Sequence, residues 1–414
     1  MRFEELPTPC YVIDEKKIEE NCRILAGVMA DTGCRILLAQ KAFSAFALYP
    51  LIGRYLSGTT ASGLFEAKLG HEEMVLKSRA LKMENHCFSP AYRQCDMLEI
   101  AEICDHIVFN SIPQFLKYRD MKVNISGTED AEKDAGGCAE LCSLRSLGLR
   151  INPEISTQKG HAEYDPCTKG SRLGVTVDKL EEFLDSEKIQ GRDWHEALRG
   201  LSGFHFHTLC EQGAEPLAET LKEVEKKFGK YLYDLEWLNF GGGHHITKPG
   251  YNIALLEKCI MHVRQEYGVN VYLEPGEAVA LDAGYLVTQV LDSVENGGIT
   301  TLILDTSAAC HMPDVIEMPY RPPLEGAGEY GKRAYSYRLS SCTCLAGDVI
   351  GDYSFDEKKL VGDRLVFDDM AIYSFVKNNT FNGIPLPALA LKQADGECRI
   401  IKSFGYEDFK MRLS

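Results

Sequence analysis

The 414-residue chain predicts an α/β protein: a (β/α)8 TIM barrel joined to a mostly β C-terminal domain that includes the N-terminal strand. Three observations predict it. Short apolar runs alternate with amphipathic helical stretches from about residue 35 to 275. After Gly276 the helical patterns thin out while strand-like runs continue. No G-x-G-x-x-G follows the first run, which counts against a doubly wound dinucleotide sheet. The expected division is a barrel over 30–275 and a β-rich domain over 1–29 and 276–414.

In chain order, Pro7–Ile13 reads as a strand and Glu15–Met29 as a helix with apolar positions at helical spacing. The barrel strands are expected at Arg35–Ala39, Gly58–Ala61, Asn85–Phe88, Ile107–Phe109, Leu147–Ile151, Gly203–His207, Leu235–Phe240 and Val269–Glu274. Strands of the second domain are expected at Ala278–Ser293, Ile299–Asp305, Tyr335–Leu339, Asp363–Phe367 and Arg399–Phe404. Ser126–Cys138, rich in Gly, Glu and Asp, reads as a surface insertion in the barrel.

Apolar residues make up 45% of the chain and charged residues 26%, enough to fill two cores. No apolar run reaches bilayer length, and Met1–Glu5 lacks the basic and apolar pattern of a signal peptide. A cytoplasmic protein is expected. The 45 basic and 61 acidic residues give a net charge of −16, which argues against nucleic acid and membrane surfaces as partners. The same charge mildly favours a cationic substrate. Fifteen cysteines in such a chain read as reduced thiols, and Cys342-x-Cys344 has no second pair at zinc spacing, so no metal is expected.

Four chemically distinct groups close strand-like runs. Lys41 follows Ile36–Gln40, His207 follows Gly203–Phe206, Gly241-Gly242-Gly243 follows Trp237–Phe240, and Glu274 follows Val271–Leu273. A lysine among apolar neighbours loses its proton through desolvation, as imine formation requires. A flat imidazole can stack, glycines let backbone approach an anion, and a carboxylate can keep a pyridine nitrogen protonated. As an ordered set they describe a site for pyridoxal phosphate.

Each group also has a plainer reading. A lone lysine at a strand end commonly snorkels to solvent, and three glycines often mean only a tight turn. Glu274 could be a salt-bridged barrel glutamate. His205, two residues before His207, faces the same side and reads either as a hydrogen-bonded core histidine or, with His207, His244 and His245, as part of a metal site. The metal reading ranks low because no carboxylate or thiolate partner is evident for it.

The segments GFHFHTLCE (203–211), NFGGGHHIT (239–247), EPGEAVA (274–280) and SCTCLAGDVIGDY (341–353) carry a resemblance spanning Pro7 to Gly383. The chain resembles the alanine-racemase-like (fold type III) pyridoxal phosphate decarboxylases, which include the ornithine, arginine and diaminopimelate enzymes. Within that family it is similar to the branch acting on carboxynorspermidine and carboxyspermidine. The resemblance implies Lys41 as the imine-forming lysine, His207 stacked on the ring and Glu274 at the pyridine nitrogen. It implies Gly242, Gly243 and Tyr373 at the phosphate, and Cys344 as the thiol that reprotonates the substrate carbon. It also implies a homodimer in which Cys344 completes the partner's pocket. Taken by itself, Cys344 could equally be a buried free thiol.

Two departures bear on the substrate. Diaminopimelate decarboxylases carry an arginine where this chain has Glu277, and an acid where it has Leu345. Glu277 replaces a clamp for a distal carboxylate by an anion, which points to an amine-bearing substrate. Glu277, Asp314, Glu211 and Asp348 are the acids expected to meet its tail. The expected activity is decarboxylation of a carboxy-polyamine in polyamine biosynthesis. The alternatives are a diaminopimelate- or ornithine-type decarboxylase and, less favoured, a non-catalytic pyridoxal phosphate carrier.

Overall fold

The computed structural model describes residues 1–124, 138–158 and 165–414. All but the last residue of the segment read as an insertion, Ser126–Cys138, lies outside the described residues. In chain order the strands are β1 (Cys10–Asp14), β2 (Arg35–Ile36), β3 (Leu38–Ala39), β4 (Gly58–Ala61), β5 (Glu84–Phe88), β6 (His106–Phe109), β7 (Lys122–Asn124), β8 (Cys138–Glu140), β9 (Ser146–Arg150), β10 (Leu201–His205), β11 (Trp237–Asn239) and β12 (Asn270–Leu273). They continue as β13 (Gly284–Asn296), β14 (Ile299–Leu304), β15 (Gly328–Glu329), β16 (Tyr335–Ser341), β17 (Val349–Phe355), β18 (Arg364–Asp368), β19 (Ala388–Lys392) and β20 (Cys398–Lys402).

The chain forms two compact units. One comprises Cys22–Lys41 and Leu48–Val279, the other Met1–Asn21, Ala42–Ala47 and Ala280–Ser414. These limits differ from the sequence division: part of the first helix, Glu15–Thr32, goes with each unit, and Ala42–Ala47 goes with the second.

The first unit is an all-parallel barrel in the order β2-β12-β11-β10-β9-β6-β5-β4-β3. The run expected as one strand, Arg35–Ala39, is split at Leu37. Its first half pairs with β12 and its second with β4, and that shared segment joins the two ends of the sheet. Strands buried on both faces need continuous apolar runs, which is why Ile107-Val108-Phe109 and Val271-Tyr272-Leu273 read as they do. The helix Ala214–Leu232 buries Leu217, Leu221, Val224, Phe228 and Leu232, spaced three or four apart along one face. Asn252 starts the helix Ile253–Tyr267 by accepting from Leu255 N at 3.1 Å, and Gly268 ends it at φ +73°.

Trp237 fills the barrel interior because two neighbouring strands carry no side chain beside it. A Cβ on Gly203 would lie 2.1 Å from the indole, and one on Gly148 2.3 Å. The indole Nε1–H donates to Ser146 Oγ at 2.8 Å. Around it, His86 and His106 stack at 4.0 Å with planes 7° apart.

The second unit is a mixed sheet. β13 pairs antiparallel with β1, β14 and β18, and β1 pairs parallel with β19. Its core gathers Tyr11, Leu286, Leu302, Leu304, Leu339, Ile350, Tyr353, Phe355 and Phe367. Three strands of this unit were not expected from the sequence, β15, β17 and β19, and the segment expected as strand from Ala278 begins instead with a short helix, Glu277–Ala280. Among the residues whose side chains are described, the cysteines are free thiols. Among the described residues no helix is long and apolar enough to cross a membrane.

Candidate active site

A cavity of about 130 Å3, open to solvent, lies in the barrel unit. Its walls are Ala39, Lys41, Thr60, Ala61, Ser62, Phe88, Pro90, Arg150, His205, His207, Gly242 and Glu274. Four of the residues singled out from the sequence as strand-end groups therefore meet in one place: Lys41 follows β3, His207 follows β10, Gly242 follows β11 and Glu274 follows β12.

Lys41 is accessible through the cavity but surrounded by protein. Desolvation, and then the charge of Arg150, lower its pKa, against the opposing pull of Glu274 and Glu277. The side chain is thus biased toward the neutral amine that attacks a carbonyl.

Glu274 is held by two partners. Its Oε1 accepts from Asn239 Nδ2 at 2.8 Å, and its Oε2 lies 3.2 Å from His205 Nε2. Burial alone would raise this carboxyl; His205, His86 and the Asn239 amide outweigh burial and hold it at about 2. It is therefore ionised in the barrel interior. His205 is itself depressed by burial, so it serves as a neutral donor through Nε2–H.

The Gly242 N–H donates to His207 Nδ1 at 2.8 Å, which fixes the His207 proton on Nε2. Burial, then Lys41 and Arg150, push its pKa well down, so the ring is neutral. Gly242 was expected to give its N–H to a phosphate; here that N–H is committed to His207. The glycines are nonetheless required. A Cβ on Gly242 would sit 2.6 Å from Glu274 O, and Gly243, at φ +80°, would place one 2.0 Å from Leu209 O.

Arg150 went unnoticed in the sequence. It is buried, donates to His207 O at 3.2 Å and lies over the Phe88 ring at 4.7 Å. Burial lowers its pKa to about 10, which leaves it charged at neutral pH. Its signal was present as an arginine closing the apolar run Leu147–Leu149.

The other predicted residues are placed differently. Glu277 is buried in the barrel unit, with Oε2 3.2 Å from His245 Nε2. The histidines that lacked a carboxylate partner in the sequence thus have two, Glu274 for His205 and Glu277 for His245. Glu211 is exposed at φ +53°. Cys344, Tyr373, Asp314 and Asp348 belong to the second unit. Tyr373, at φ +46°, donates its N–H to Ala42 O at 3.0 Å. Asp314 is ion-paired with Lys377.

Asp348 is buried and accepts from Ser307 Oγ, Ser341 Oγ, Thr343 Oγ1 and the N–H groups of Ala308 and Ala309. Its expected role at a substrate amine is corrected: the carboxylate is fully occupied inside the protein. Two His/Cys/acid clusters at ligating distance occur among the described residues, Glu84–His86–His106 and Asp120–Glu140–Cys142. In each, arginine already pairs the acids: Arg35 with Glu84, and Arg199 with Asp120 and Glu140.

A barrel with a desolvated lysine, a buried ionised carboxylate, a neutral imidazole and a glycine turn that admits no side chain defines a pyridoxal phosphate enzyme of the barrel type. A family model, described as pyridoxal-dependent decarboxylase, C-terminal sheet domain, matches residues 10–371, and the chain belongs to this family of decarboxylases. It is 40% identical over 423 residues to the carboxynorspermidine/carboxyspermidine decarboxylase of Campylobacter jejuni, covering 100% of both chains. It is 38% identical to the carboxyaminopropylagmatine decarboxylase of Synechocystis, covering 100% of this chain and 97% of that protein. Among solved structures, carboxynorspermidine decarboxylase from Campylobacter jejuni complexed with norspermidine superposes with a TM-score of 0.83 at 38% identity, over 98% of this chain and 100% of that one.

Proposed function

We propose that this protein decarboxylates a carboxylated linear triamine, carboxynorspermidine or carboxyspermidine, to norspermidine or spermidine and CO2 in polyamine biosynthesis. One observation carries the substrate class: a buried carboxylate, Glu277, occupies the position where diaminopimelate decarboxylases carry an arginine, and it acts on the charge of Lys41. An anion there suits an amine and repels a second carboxylate. Full-length identity to the Campylobacter jejuni enzyme supports the same reading.

Pyridoxal phosphate, when bound, supplies the electron sink for the pair left behind by CO2. Lys41 is the residue that would hold it covalently. Glu274 would keep a proton at the pyridine nitrogen, His207 would offer its ring face, and the close backbone at Gly242 and Gly243 would leave room for the phosphate end, for which the family resemblance also implies Tyr373. Arg150, charged over the Phe88 ring, helps keep Lys41 deprotonated. Cys344, exposed in the second unit beside exposed Leu345, returns the proton to the substrate carbon. A thiol so displayed suits a homodimer in which each copy completes the other's pocket, in a cytoplasmic setting.

The Synechocystis relative favours a second reading, in which the tail ends in a guanidinium; Glu277 can accept from either cation. Steady-state kcat/KM on carboxynorspermidine, carboxyspermidine, carboxyaminopropylagmatine, meso-diaminopimelate and ornithine ranks them. A triamine acid should lead by more than tenfold. Faster turnover of meso-diaminopimelate or ornithine overturns the proposal.

A further inference from the structure

The loop that carries Cys344 is held by a buried carboxylate that the sequence reading had assigned to substrate. Asp348 Oδ2 accepts from Ser341 Oγ at 2.6 Å, from Thr343 Oγ1 at 2.5 Å and from Ser307 Oγ at 2.6 Å. Its Oδ1 accepts from the backbone N–H of Ala308 at 2.8 Å and of Ala309 at 3.2 Å. One side chain thus ties the end of β16 and the residue before Cys344 to Ser307 and the single helical turn that it caps, Ala308–His311.

A second tie reaches the thiol residue itself. Cys344 N donates to Asn382 Oδ1 at 2.9 Å. Asn382 belongs to the segment in which Asn379 donates Nδ2 to Ala309 O at 2.9 Å and its N–H to Cys310 O at 2.9 Å. Both ties therefore end on the same turn, 307–310. Burial alone would raise the Asp348 carboxyl, but the hydroxyls of Ser307, Ser341 and Thr343 outweigh it and keep it ionised.

We propose that Asp348 and Asn382 are positioning residues that fix the backbone at Cys344, so that its thiol delivers the proton to one face of the substrate carbon. This rests on the reading of Cys344 as the proton donor. Decarboxylation replaces a C–CO2 bond by a C–H bond, with the proton taken from the thiol and the thiol recharged from solvent. In D2O the new bond is C–D, and the product carbon becomes stereogenic. A donor fixed on one face gives one configuration, a donor fixed on the other face gives the inverted one, and a donor that reaches both faces, or solvent in its place, gives a mixture.

The experiment runs the holoenzyme on carboxynorspermidine in D2O and determines the configuration of the deuterated norspermidine. Asp348→Asn removes acceptor capacity at constant shape. Asn382→Gly removes the Cys344 tie while keeping a backbone that tolerates φ +57°. Asp352→Asn, which breaks a surface pair with Arg338 on the adjoining strands, is the control. Wild type and control should give one configuration. Asp348→Asn and Asn382→Gly should give mixed product, with kcat lowered roughly 10- to 100-fold and KM nearly unchanged. Mixed or inverted product from Cys344→Ala with a single configuration from both tie variants overturns the positioning role while leaving the Cys344 reading intact. A single unchanged configuration from Cys344→Ala overturns both. If Asp348→Asn does not fold, Asn382→Gly decides alone.

Discussion

The barrel unit and the sheet unit hold their functional residues in opposite ways. In the barrel, Lys41, His207, Gly242 and Glu274 each follow a strand, and ring closure of the sheet brings the strand ends around one cavity. In the sheet unit, Asp348 and Cys344 are organised by segments 307–309, 341–343 and 379–382, which no periodicity links. A barrel converts sequence order into spatial order. A mixed sheet with long connections does not, and its polar residues acquire roles from partners far along the chain.

The sharpest break between the units should come from Lys41→Ala. It should lower kcat/KM by on the order of 10⁴-fold and abolish the visible absorbance of lysine-bound cofactor. Retained absorbance would remove Lys41 from its role. The mirror experiment is Phe367→Ala, in the core of the sheet. It should cost about 3–5 kcal/mol in urea unfolding while leaving the cofactor spectrum of the folded fraction unchanged. A spectral change would show that the two regions are less separable than their construction implies.

Glu274→Gln sharpens the account of the barrel. It keeps the shape and removes the charge that His205 and Asn239 hold in place. A loss of roughly 10²- to 10³-fold in kcat is expected, with cofactor still bound. Equal activity would mean that the ionised carboxylate is not used.

The smallest effect concerns pH. Burial holds His86 neutral down to about pH 4, whereas an unfolded histidine protonates near 6.5. The unfolded chain therefore takes up the proton first, and stability falls as pH drops from about 6.5 to 4. His86→Phe keeps a flat ring against His106 and removes this site. The loss between about pH 7 and 4.5 should shrink by roughly 2–3 kcal/mol. An unchanged loss would assign the acid sensitivity elsewhere, His106 being the nearest candidate, since burial lowers it to about 2.

Much of the barrel was legible because each strand is a short apolar run bounded by turn residues, and all eight expected runs overlap barrel strands. In the sheet unit, β17 (Val349–Phe355) contains Gly351 and Asp352, and β19 (Ala388–Lys392) follows Pro385 and Pro387, so neither carries a clean two-residue alternation. The strands exist because their neighbours complete their hydrogen bonds, β16 for β17 and β1 for β19.

The sequence alone determined the barrel, the identity of its strand-end chemistry and the cofactor that chemistry suits, because strand periodicity and residue type are local properties. Tertiary structure decided the rest. It committed the Gly242 N–H to His207, brought Arg150 to the cavity, gave His205 and His245 their carboxylates and turned Asp348 from a presumed substrate contact into an internal anchor. Whether a polar group is free or already satisfied depends on which distant donors folding brings to it, and a linear pattern carries no record of them.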